Sequence, residues 1–168
     1  MIALKIKDTK KMMQTLLYTE SFDSFSLQEA TIVKASTLYL DGHMHPEYYS
    51  KEELSNNPGF AKREFISFKD TRTILADYIK GDRTPLSFKI VLQASAAFVE
   101  KLVADPSFTD NPDNVKALIL TFRFDANGLT CLTGTSMKTF SLDKSIDTLW
   151  DVRIRKSLDH MQISFDEL

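Results

Sequence analysis

Ile2, Leu4 and Ile6 alternate with Lys5 and Lys7 at the start of the chain. That period of two predicts a strand with one apolar and one charged face. Asp8-Thr9 follows, and a short side-chain oxygen there suits a helix N-cap. Met12, Met13, Leu16 and Leu17 then fall at the spacing of a buried helical stripe. The same phrase returns 62 residues later. Residues 6–17 read IKDTKKMMQTLL and residues 68–79 read FKDTRTILADYI, with Ile74, Leu75, Tyr78 and Ile79 at the stripe positions. A third strand and helix are predicted from Leu86, Phe88, Ile90 and Leu92, then a Ser95 cap, then Phe98, Val99, Leu102 and Val103. A fourth pair begins at residue 138, with Phe140 and Leu142 facing inward, Asp143 as cap, and Ile146, Leu149 and Trp150 packing.

Antiparallel strands are expected between these pairs. ALILTFRFDANGLTCLTG alternates on both sides of Asn127-Gly128, which predicts a hairpin with a type I′ turn. In that register Phe124 faces Cys131 and Phe122 faces Thr133. FSLQEATIVKASTLYLDG reads as two more strands ending at Gly42. Residues 50–62 and 103–115 read as polar connections, each with a Pro-containing breaker. The run TGTS (133–136) reads as a tight turn, and QISFDEL at the end as a short strand using Ile163 and Phe165.

The element order is therefore β-α-β-β-β-α twice over, an α+β fold with a mostly antiparallel sheet and about four helices. Two such β-α-β-β-β units are also the element order of a sliding-clamp domain, a likeness of order alone. The chain reads as a single domain over 1–168. An internal pseudo-repeat would divide it into 1–80 and 81–168; the simpler account is one local solution used four times.

Composition narrows the function classes. The 168 residues carry a net charge of -2, which disfavours a strongly basic nucleic-acid binder. Apolar runs are too short to span a bilayer, and no signal-peptide pattern opens the chain. One cysteine, Cys131, allows no internal disulfide, and a reducing cytoplasm is the simplest compartment. Its position in the hairpin makes it a small buried residue rather than a nucleophile.

DGHMHPEYY (41–49) concentrates the candidate chemistry. On a strand His43 and His45 point the same way, Glu47 adds a carboxylate, and Asp41 stands behind as an acceptor. Those three ligands would make a small metal-assisted hydrolase. Gly42 and Pro46 bracket the pair, however, and favour a solvated exit from a strand. No P-loop, dinucleotide fingerprint or nucleophile elbow is present, and no cofactor is implied. A phosphate-contacting face would use Lys10, Lys11, Arg72, Lys80 and Arg83, with Lys89 nearby. Ordinary surface charge balanced by Asp77, Asp82 and Glu100 is the favoured account. RIRK (153–156) places further cations on the last helix.

MIALKIKD, GDRTPLSFKIVL and LTCLTGTSMKTFSLDKS…LWD together resemble a family of uncharacterised proteins from anaerobic Gram-positive bacteria, grouped as a domain of unknown function. The resemblance covers nearly the whole chain. It implies a bacterial, cytosolic protein and transfers no catalytic residue. The expectation is a non-enzymatic binding or scaffold protein that meets a protein partner or itself, with the His43/His45 hydrolase as the alternative.

Overall fold

The computed structural model describes residues 1–60 and 62–168. Seven strands form one sheet: β1 (Ala3–Ile6), β2 (Ser26–Val33), β3 (Thr37–Asp41), β4 (Ser87–Gln93), β5 (Val115–Asp125), β6 (Gly128–Met137) and β7 (Phe165–Glu167). Their order is β3-β2-β4-β5-β6-β1-β7, and every neighbouring pair is antiparallel. Among the described residues five α-helices accompany them: α1 (Thr9–Tyr18), α2 (Lys51–Asn56), α3 (Phe68–Ile79), α4 (Ala96–Val103) and α5 (Ser145–His160). The α+β class and the antiparallel sheet agree with the sequence reading. The strands of the two halves interleave, since β4 sits between β2 and β5 while β1 lies beyond β6.

Alternation decides which side of the sheet is covered. Leu4, Leu27, Ile32, Ile90, Leu92, Leu120 and Phe122 form one buried cluster with Met12 and Leu16 of α1, Phe68 and Leu75 of α3, and Trp150 and Ile154 of α5. Phe98, Val99 and Leu102 of α4 pack against the same cluster. α1, α3, α4 and α5 thus share one face. Lys5, Lys89 and Arg123 alternate onto the other. Side-chain oxygens start two helices as expected: Asp8 Oδ1 accepts from Lys11 N at 2.9 Å, and Ser95 Oγ from Phe98 N at 3.3 Å. Buried Asp151 accepts from Thr133 Oγ1, and the Met1 ammonium lies 2.9 Å from its other oxygen.

Several expectations need correcting. The two Lys-Asp-Thr phrases occupy different helical positions. Asp8 precedes α1, whereas Asp70 lies in the first turn of α3, which starts at Phe68 after Ser67. The inward positions of α3 are consequently Phe68, Thr71, Leu75 and Ala76, and Ile74 is exposed. Leu86 stands outside β4 and is exposed, with Pro85 buried in its place. TGTS is no turn but the last part of β6. The hairpin turns on Ala126-Asn127, pairing Asp125 with Gly128 and Phe122 with Cys131. Asn127 keeps a negative φ, and only Gly128 (φ 100°) is left-handed, so the turn is not type I′. Asp125 Oδ1 fixes it by accepting from Asn127 N at 2.8 Å. The slide is two residues, so every side chain keeps its face.

A third strand is missing after each helix-strand-strand run. In the first half, residues 65 and 67 make only single bridges, to His43 and Ser26. In the second, residues 138–144 form a loop in which Phe140 and Leu142 are 89% and 83% exposed rather than inward. The 50–62 stretch holds α2, started by a capping box between Ser50 and Glu53.

Candidate functional site

DGHMHPEYY folds as a strand exit. Gly42 is buried because an added Cβ would lie 1.8 Å from the Leu27 carbonyl oxygen, at the bulge of β2 between Leu27 and Glu29. Gly42 N donates to Gln28 O (2.9 Å), and Ile66 N donates to Gly42 O (2.8 Å). Pro46 then opens a 3-10 turn over Pro46–Tyr48. The two imidazoles are divided between two carboxylates. His43 Nδ1 lies 2.6 Å from Asp41 Oδ1, and His45 Nδ1 lies 3.2 Å from Glu47 Oε1. The backbone N–H of His43, then its ring, holds Asp41 below the ordinary aspartate range. Glu47 is lowered by its own backbone N–H and by His45. Among the described residues no three His, Cys, Asp or Glu side chains gather to hold a metal ion. His160 ends α5 at the opposite end of the sheet from His43.

The basic residues separate into two groups. β1 and β2 end on the same side of the sheet. Lys10 and Lys11 start α1 there, and Lys80 and Arg83 follow α3 there, where Lys34 Nζ donates to Tyr78 O and Lys80 O. Lys11 Nζ donates to Gln162 O at 2.7 Å. Arg72 lies at the other end of α3 and is committed. Its Nε and Nη2 meet both oxygens of Asp23 at 2.8 and 3.3 Å, and Nη1 meets Leu17 O at 3.3 Å. It clasps α3 to the α1–β2 connection.

A different site emerges on the helical layer. A groove of about 610 Å³ opens between the α1–β2 connection, α4 and α5. Buried Trp150 closes its bottom, held by a hydrogen bond from Nε1 to Ile119 O at 3.0 Å. Phe25 and Phe98 pack on Trp150 with ring centroids at 6.5 and 5.5 Å. Phe22 lies against Phe25 at 5.7 Å. The rim is cationic. The Arg153 guanidinium sits 5.5 Å from the Phe98 centroid, and Lys156 follows along α5; the imidazole of His160 lines the same side. Among the described residues the lining includes no carboxylate. An apolar floor and a positive rim suit a ligand with an apolar body and a negative charge.

Cys131 supplies no nucleophile. It is fully buried, and burial pushes its thiol up to about 12.

Residues 15–166 match the model of DUF5721, a family of unknown function. The chain belongs to that family. No curated protein and no solved structure matches it. Membership agrees with the resemblance carried by the quoted segments and assigns no residue a role. No helix among the described residues is long and apolar enough to cross a membrane.

Sequence reasoning treated Trp150 and Phe98 only as core and passed over Phe22 and Phe25. The signal available was FDSF (22–25), two aromatics held in a connection, together with Arg153 and Lys156 three apart on α5.

Proposed function

We propose that this DUF5721 protein is a non-enzymatic binding module of the cytosol, with the Trp150 groove as its ligand seat. The observation that carries the reading is the pairing of an aromatic floor with the positive rim of Arg153 and Lys156. The groove volume falls in the range of pockets that enclose a small ligand or an anchoring side chain. Its aromatic walls are packed on one another and on Trp150, so little ordering is required when a ligand enters. The ligand is apolar and flanked by negative charge.

The chain has one tryptophan, so its single indole N–H resonance reports on the groove floor. Naphthalene-2-sulfonate and the neutral 2-naphthalenemethanol provide the same ring with and without charge. Titration should shift the indole resonance saturably with the sulfonate. Arg153→Glu with Lys156→Glu should weaken that binding about tenfold or more, equivalent to about 1.4 kcal/mol, and leave the weaker alcohol binding unchanged. Sulfonate binding that ignores the double substitution, or no saturable shift at all, overturns the reading.

A further inference from the structure

The loop between β6 and α5 is pinned by its polar groups, which bond to one another and to the 109–114 stretch. Thr139 N and Oγ1 both donate to Asn114 Oδ1 at 2.8 Å, and Lys138 N donates to Asn114 O at 2.8 Å. Asp143 N donates to Ser141 Oγ at 3.1 Å, and Asp143 Oδ1 accepts from Ser145 N at 2.7 Å. Thr109 Oγ1 donates to the second Asp143 oxygen. Among the described residues Phe140 is instead the most exposed large hydrophobic side chain (89%), and Leu142 (83%) stands just behind Tyr48 (84%). Placed two apart on a pinned backbone, they form a preorganised apolar tip.

The charge around that tip is negative. Asp110 and Asp113 border Phe140 in the adjoining hollow, and Asp143 follows Leu142. Lys144 is drawn to Asp147 at 3.5 Å, which leaves Lys138 as the opposing cation. Asp143 is held below the ordinary aspartate range, first by the Ser145 and Thr109 hydroxyls, and so stays charged. An apolar tip with a negative border is the complement of an apolar groove with a positive rim.

We infer that Phe140 and Leu142 of one copy seat in the Trp150 groove of a second copy, with Arg153 and Lys156 facing the carboxylates beside the loop. The inference rests on the groove reading above. The contact joins two different surfaces, so it is heterologous: each copy offers one loop and one groove, and assembly proceeds to a ring or an open chain.

Sedimentation velocity over a concentration series tests it. Wild type should show a mass that rises with concentration and falls with added salt. Phe140→Ser with Leu142→Ser should sediment as a monomer and remain folded, because both side chains already face water. Arg153→Glu with Lys156→Glu should also be monomeric. The decisive arm mixes the two variants. One intact loop then meets one intact groove, and the mixture should form a dimer of two chains and grow no further. Naphthalene-2-sulfonate should dissolve the assembly. Two monomeric variants that stay monomeric when mixed overturn the proposal, as does a monomeric wild type. If the sulfonate binds the groove while wild type stays monomeric, only this inference falls. If wild type assembles and the sulfonate does not bind, the groove reading falls with it.

Discussion

Replacing Gly42 by alanine tests the claim that this residue, rather than either histidine, dictates the path of the chain out of β3. The added methyl would sit 1.8 Å from Leu27 O, 2.7 Å from Leu27 C and 2.9 Å from Gln28 O. All three atoms are backbone of β2 at its bulge, so no side-chain rotation relieves the clash. The strand exit must move, and Gly42 N–Gln28 O and Ile66 N–Gly42 O are the hydrogen bonds at stake. Overpacking costs about 1–3 kcal/mol, and each lost bond adds about 0.5–1.5 kcal/mol. Together these give a destabilisation of about 2–6 kcal/mol. With a urea slope of about 2 kcal/mol/M, the midpoint should fall by about 1–3 M with the slope unchanged. Gly59→Ala is the control. A Cβ there meets nothing within 4 Å among the described residues, so its stability should stay within about 0.5 kcal/mol of wild type. Equal midpoints for the two variants would refute the steric argument.

Two further outcomes are expected. Arg72→Lys keeps the charge but loses the two-pronged contact with Asp23, in a pair only 17% and 14% exposed. Urea unfolding should show a loss of about 1–3 kcal/mol, and a change below about 0.5 kcal/mol would mean the clasp is dispensable. Burial of Cys131 raises its folded-state thiol above the usual 9.0, to about 12. The folded protein therefore holds a proton that the unfolded chain releases. That contribution to stability is complete below pH 9 and declines between pH 9 and 12, by up to about 1.4 kcal/mol per unit. Unfolding midpoints of wild type and Cys131→Ala at pH 8, 9 and 10 should converge as pH rises; parallel curves would contradict it.

Elements were legible where the apolar period was long. The β1, β5 and β6 alternations and the α1 stripe were read on their correct faces, as were Ile146 and Trp150 of α5 though not Leu149, and even the misplaced hairpin turn kept Phe122 and Cys131 inward. Phe140 and Leu142 were misread because alternation over three residues cannot tell a strand from a loop pinned by its polar groups. Ile74 was misread because helix phase depends on the first residue, and Ser67 supplied an earlier start than the repeated phrase suggested. The Ser50–Glu53 box was a visible signal for α2. The groove was not legible. Its parts come from residues 22–25, from Phe98 of α4 and from α5, and only the packing of one connection against two helices brings them together. The histidine pair was conspicuous in sequence because residue type is visible there, whereas the separate carboxylate partner of each imidazole is not.

The place of β1 in the sheet governs how the chain matures. Ala3 pairs with Leu132, so the first strand emerges from the ribosome long before its partner exists. At about 5–20 residues per second the wait lasts roughly 6–25 s. Throughout it Leu4, Ile6 and the apolar stripe of α1 lack the β6 surface on which they close. The β2–β3 hairpin can form early, but β1 has a strand to pair with only when the β5–β6 hairpin is complete. A truncation before residue 128 therefore leaves the amino-terminal strand without a neighbour, and such fragments should need chaperone protection that the finished chain does not.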